Sequence, residues 1–163
     1  MQETRALSNQ MSAIETATFG AGCFWSVEAA FCKVLGAVET SVGYMGGHFE
    51  HPCYLDVLSR ITGHAEVCQV KYDPSMVEYG VLLDIFWNIH DPTSLNRQGA
   101  DWGEQYRSVI FFYTQQQETI ARRAKENLER SGKYDKAIIT SFQPASTYWI
   151  ADEYHQQYFH KLG

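Results

Sequence analysis

The order of hydrophobic patterns along the chain predicts an α+β fold: a ferredoxin-like, split βαβ sandwich core with long loops and added C-terminal elements. Three observations carry this expectation. Apolar runs of strand length occur at residues 16–21, 38–44, 64–72 and 108–113, and helical periodicity fills the first and third intervals. The resulting order is β-α-β-β-α-β. Breakers stand at the joints, with Gly36, Asp73-Pro74 and Asp91-Pro92 ending segments where the pattern changes.

Each element has its own signal. Residues 16–21 read as a short strand running into Gly22. From Cys23 to Leu35 the apolar residues Phe24, Val27, Phe31 and Leu35 recur at i, i+3, i+7 and i+11, one face of a helix that stops at Gly36. Residues 38–44 form a second strand, followed by a Gly/His/Pro-rich loop over 46–52. Residues 64–72 form a long strand, and 77–90 a strongly apolar helix. A polar loop over 93–105 precedes the strand at 108–113. Thr114, with Gln117 three residues on, has the pattern of a capping box for a helix closed by Gly132. A further strand at 137–142 and a terminal helix at 152–160 complete the chain. Long loops in a compact domain commonly serve function.

At 163 residues the chain is long enough to bury one continuous core. It divides into a polar N-terminal extension (residues 1–15) and a single domain (16–163), with no repeat or linker. A net charge of −6 without any Lys/Arg run argues against nucleic acid as a partner. No apolar stretch approaches the ~20 residues that cross a bilayer, and no secretory signal is visible. The four cysteines, Cys23, Cys32, Cys53 and Cys68, all lie in the first 70 residues. Without an export signal they read as reduced thiols of a cytoplasmic monomer, so the reactivity of each becomes the question.

Cys23 is the one placed for chemistry. It sits where the first strand turns into the first helix, facing unpaired backbone N–H groups and the positive end of the helix dipole, both of which favour a thiolate. The alternative is an inert, buried structural cysteine. Phe24 and Trp25 follow at once. Phe24 fits the apolar stripe, whereas Trp25 lies off it and is the better candidate for a pocket wall.

Gly22-Cys23-Phe24-Trp25, Thr62-Gly63-His64-Ala65-Glu66, the run from Asp91 to Gly99, Gln105-Tyr106-Arg107-Ser108 and the terminal Ala151-Asp152-Glu153-Tyr154-His155-Gln156 together resemble the class A peptide-methionine sulfoxide reductases, in order and in spacing, across nearly the whole chain. The resemblance implies an enzyme that reduces methionine S-sulfoxide, free or in proteins, to methionine. It implies Cys23 as nucleophile and Glu66 as the acid that donates to the sulfoxide oxygen. A Glu among aromatics has its pKa raised by desolvation and so keeps its proton. Alternation along the strand leaves the facing of Glu66 open. Tyr54 and Tyr106 carry over as phenol donors, Asp101 as the pocket carboxylate, and Phe24 and Trp25 as a cage for the S-methyl group. The cycle passes through a cysteine sulfenic acid and needs a thiol reductant, thioredoxin or another, but no cofactor and no metal.

This sequence departs from the family at several positions. Many members resolve the sulfenic acid with a cysteine near the C-terminus, where this sequence reads Tyr158-Phe159-His160-Lys161-Leu162-Gly163; Leu58 replaces another frequent cysteine. Cys32 would lie about 13 Å along the helix on its opposite face, beyond the roughly 7 Å that a disulfide spans. Cys53, in the loop before Tyr54, and Cys68, on the strand face of Glu66, are the possible internal partners; direct reduction by an external thiol is the favoured expectation. Arg60, Ala100 and Trp102 also differ from the common residues, the last two flanking Asp101. Three other readings compete: a zinc site drawn from His48, His51, Cys53, His64 and Cys68, a thiol peroxidase, and a peptide-binding module with an inert Cys23.

Overall fold

The computed structural model describes residues 13–163, so most of the N-terminal extension lies outside the described residues. A six-stranded sheet runs in the order β7-β6-β1-β3-β2-β8. Its centre is β1 (Glu15–Ala21), β2 (Ala37–Met45), β3 (Ala65–Tyr72) and β6 (Ser108–Phe112). β3 lies antiparallel between β1 and β2, and β1 antiparallel between β3 and β6, so two βαβ crossovers interleave as the split plan predicts. The crossover helices are α1 (Phe24–Phe31) and α3 (Tyr79–Asn88). After β6, α4 (Gln115–Arg130) leads to the edge strand β7 (Ser141–Pro144), parallel to β6; a Pro is tolerated at such an edge.

One face of the sheet carries the main core. Phe19 of β1 stacks between Phe31 of α1 and Phe86 of α3 at 5.2 and 5.3 Å, among Cys68, Val70, Leu82, Leu83 and Ile110. The other face holds Met45, Ala65, Val67, Val109 and Phe111. Cys68 and Val70 point to the helix side and Val67 to the other, so strand alternation puts Glu66 on the helix side. That resolves the facing the sequence left open.

Several elements differ from expectation. α1 ends at Phe31, and Leu35, expected on its buried stripe, is 79% exposed beside the Gly36 turn. The strand expected at 137–142 begins only at Ser141, because Ile139 N–H is taken by the carbonyl of Pro92 and the Thr140 hydroxyl by Ser108. The terminal helix is broken into a 3₁₀ turn (Glu153–His155) and α5 (Tyr158–Lys161), with Gln157 between them in the left-handed region (φ 54°). Thr114 caps α4 through Gln117 N–H, but the Gln117 side chain reaches Tyr113 N–H, one residue before the cap. Within the expected loops lie a short helix α2 (Tyr54–Leu58), a hairpin of β4 (Arg97–Gln98) with β5 (Asp101–Trp102), and β8 (Trp149–Ile150), which pairs with β2.

Candidate active site

The site forms where β1 ends. Gly22 has φ +94°, a conformation that L side chains rarely adopt, and a Cβ there would meet the Gln98 side chain at 3.0 Å. Gln98 in turn closes its own loop, accepting from Asp91 N–H and donating to the Asp91 carbonyl, both at 2.8 Å. This brings the β4–β5 hairpin, and Asp101 on it, up to the turn that presents Cys23.

Cys23 is the N-cap of α1, its carbonyl accepting from Ser26 and Val27 N–H. The N–H groups of Trp25 and Ser26 reach its sulfur and favour the thiolate, as the helix-start position predicts. They do not prevail. Burial first, then the neighbouring Glu66 carboxyl, pushes the Cys23 thiol up to about 11. In the resting site Cys23 is therefore a thiol, which corrects the expectation drawn from the helix dipole.

Glu66 on β3 is 1% exposed. Its Oε1 accepts from Phe24 N–H at 3.1 Å, and its Oε2 is buried with no partner. Burial raises its pKa to about 8, opposed by the Phe24 hydrogen bond and assisted by Asp101. Near neutrality Glu66 holds a proton, and one oxygen is free to offer it. Tyr54 and Tyr106 both feel Glu66 and Cys23, which with burial lift the Tyr106 phenol to about 12 and Tyr54 above its usual range. Cys23, Glu66, Tyr106 and Asp101 are thus close enough for their charges to interact, and Tyr54 joins them through Glu66, Tyr106 and Cys23.

An aromatic wall encloses this group. Phe24 is buried against Tyr44, Tyr54 and His155, at ring distances of 5.7, 6.3 and 5.3 Å. Trp25 stacks on Tyr158 at 3.9 Å and donates its indole N–H to His155 Nδ1 at 3.0 Å. Burial holds the His155 imidazole below its usual range, and with Nδ1 accepting, its proton sits on Nε2.

A cysteine at a helix start, a buried carboxyl on the neighbouring β3 and an aromatic wall thus lie together. The family model for peptide methionine sulfoxide reductase matches residues 15–162. The chain belongs to that family. A peptide methionine sulfoxide reductase of Nostoc sp. is 64% identical over 148 residues, covering 91% of each chain. The reduced form of Mxr1 from Saccharomyces cerevisiae superposes with a TM-score of 0.86 at 34% identity, over 92% of this chain and 86% of that one. Mxr1 in complex with Trx2 matches at 0.64 and 26% identity, over 90% and 86%. As a reductase of this family the chain is an enzyme, an oxidoreductase.

The reductase site contains residues that the sequence reading missed. Tyr44 lies directly across β2–β3 from Glu66, with its hydroxyl buried and unpartnered and its pKa raised by burial and by Glu66. His155 lies within the Ala151–Gln156 motif and Tyr158 near the terminus, and neither carries a local signal for its contact with Trp25. The other cysteines lie where the sequence expected them. Cys53 is exposed at the end of the loop before Tyr54, in the N-cap position of α2, where its N–H donates to Asp56 Oδ2 at 2.9 Å. Cys68 is fully buried in the main core, and Cys32 is exposed at the far end of α1. Among the described residues no three His, Cys, Asp or Glu side chains converge to hold a metal ion. His64 instead uses both ring nitrogens on backbone, at Gly47 N–H and the Phe49 carbonyl. Of the departures from the family pattern, Arg60 and Trp102 touch each other: Arg60 Nη2 donates to the Trp102 carbonyl at 2.9 Å. No helix among the described residues is long and apolar enough to cross a membrane.

Proposed function

We propose that this chain reduces methionine S-sulfoxide to methionine with Cys23 as nucleophile and Glu66 as acid. The observation that carries the reading is the protonated, buried Glu66, with one oxygen unpartnered, beside the Cys23 thiol. A sulfoxide oxygen entering this space accepts the Glu66 proton, helped by the Tyr54 and Tyr106 hydroxyls. Its sulfur becomes electrophilic, and the developing positive charge favours loss of the Cys23 proton as the sulfur attacks. The Cys23 sulfur bonds to the substrate sulfur as the protonated oxygen leaves as water; a water then attacks the Cys23 sulfur and breaks the S–S bond, so that methionine departs, Cys23 is left as a sulfenic acid and the released proton returns to Glu66. Cys23 is oxidised by two electrons and the substrate sulfur reduced by two. Phe24 and Trp25 enclose the S-methyl group. Asp101 orients the substrate backbone from the hairpin.

The second half of the cycle falls to an external thiol, of which thioredoxin is the leading candidate. Its thiolate condenses with the sulfenic acid, releasing water, and a second thiol frees Cys23 from the mixed disulfide. Two observations bear on this route. Cys68 is sealed in the core, and Cys32 is exposed at the far end of α1, leaving Cys53 as the one exposed internal thiol near the site. Mxr1 from yeast, a neighbour in fold, has been crystallised with Trx2. Four free thiols suit a cytoplasmic, reducing setting.

The test is an assay with separated sulfoxide epimers, with dithiothreitol or thioredoxin as reductant, on wild type and Cys23→Ser. Turnover of the S-epimer alone, abolished in Cys23→Ser, is expected; activity that survives the substitution overturns the reading.

A further inference from the structure

Glu28 is buried, 1% exposed, on the same helix as the nucleophile, yet it has no part in the chemistry above. A carboxyl group is costly to remove from water unless donors surround it. Here they do. Oε1 accepts from Gln157 N–H at 2.7 Å, and Oε2 accepts from Gln157 Nε2 at 2.9 Å and from the Thr40 hydroxyl at 3.0 Å. Gln157 Nε2 also donates to Thr40 Oγ1 at 3.0 Å, closing a three-residue ring between α1, β2 and the C-terminal segment. Gln157 accepts this arrangement in the left-handed region (φ 54°), and both His155, two residues before it, and Tyr158, the next residue, reach Trp25. His155 receives the Trp25 indole N–H, and Tyr158 lies on the Trp25 ring at 3.9 Å. Gln156 fixes the same segment to β2, through Val42 N–H and the Val42 carbonyl at 2.8 and 2.9 Å.

We infer that Glu28 is a positioning residue: its carboxyl clamps the segment from His155 to Tyr158 onto α1 and thereby sets the orientation of the Trp25 indole. Trp25 and Glu28 are three residues apart on one helix face, so clamp and stack act side by side. The clamp fixes Trp25 from two directions, by its edge at His155 and by its face at Tyr158. Such a fully satisfied buried network rigidifies the groups attached to it. The consequence for catalysis rests on the methyl-cage reading of Trp25.

The experiment uses Glu28→Gln, which sets an amide N–H₂ against the Gln157 and Thr40 donors. The Trp25 indole ¹⁵N–¹H resonance, assigned by its loss in Trp25→Phe, is expected to shift and broaden. KM for methionine S-sulfoxide is expected to rise about fivefold, the scale of one weakened aromatic contact, with kcat within about twofold. Glu28→Gln combined with Trp25→Phe should raise KM no further than Trp25→Phe alone, because coupled residues are non-additive. Gln157→Ala opens the clamp from its partly exposed side and should move the same resonance, which keeps the test alive if Glu28→Gln does not fold. An unmoved indole resonance in the folded variants, or KM effects that multiply in the double variant, overturns the clamp. Unchanged KM in Trp25→Phe sinks the methyl cage instead, and the resonance still reports on the clamp.

Discussion

At the scale of single residues, the site is governed by burial acting on two ionisable groups of opposite purpose. Glu66 rises from its ordinary value of 4.5 to about 8, so the folded protein holds that proton more tightly than the unfolded chain. The stability it contributes is present in full below about 4.5 and is lost as pH rises through about 8. Activity should follow the same limb, because the acid form is the one that donates. Glu66→Gln is expected to lower kcat/KM by ~10²–10⁴-fold, to remove the decline in rate above pH 8, and to flatten the stability slope between pH 5 and 8.5, read from urea unfolding at several pH values. Cys23 responds to the same neighbour. In the wild type its alkylation by iodoacetamide should be slow at neutral pH. In Glu66→Gln, where no carboxylate can form beside it, alkylation at pH 9 should be faster than in the wild type. Slow alkylation at neutral pH therefore does not indicate an inert cysteine, which removes one argument for a mere peptide-binding module.

At the scale of elements, the site depends on how strand ends and loops are held. Gly22 takes φ +94° and packs on Gln98, so Gly22→Ala forces both backbone strain and a displaced side chain. A loss of about 1–3 kcal/mol is expected from thermal unfolding, together with reduced turnover, since the same turn presents Cys23. Far from the site, Thr114→Ala removes the oxygen that accepts Gln117 N–H at the start of α4. It should cost about 1 kcal/mol in denaturant titration and leave KM unchanged. The two substitutions separate an element that carries the site from one that only supports the sheet.

At the scale of the whole molecule, the helix-side core and the catalytic group share one sheet face. Phe19 is stacked between α1 and α3, so Phe19→Ala removes the contact that seats the helix bearing Cys23. A destabilisation of about 3–5 kcal/mol is expected from urea unfolding. Turnover also needs a second molecule. Without any reductant, one equivalent of sulfoxide should be consumed per enzyme, measured as methionine released in a single burst, and thioredoxin should restore multiple turnovers. Cys53→Ser should leave the thioredoxin-supported rate within about twofold if the external thiol reduces Cys23 directly; a larger loss would make the exposed Cys53 the internal partner.

The split βαβ order was legible because it follows from periodicity: alternation marked the four central strands, and helical spacing marked α1, α3 and α4. Cys23 was legible as a thiol at a helix start, whereas Glu66, Asp101 and Tyr106 stood out only through the resemblance to the family motifs. Less was visible where structure depends on partners distant in sequence. β8 exists only by pairing with β2, the break at Gln157 only through Glu28, and Tyr44 joins the site only because β2 lies in register with β3 at Glu66. The protonation states were also beyond a local reading. Helix-start geometry favours a thiolate at Cys23, but desolvation is a sum over everything packed around the sulfur. By itself, then, the sequence determined the fold plan and, through its family motifs, nominated Cys23 as nucleophile and Glu66 as acid. Only the tertiary structure decided that both rest protonated, because burial is a property of the assembled neighbours rather than of any one segment.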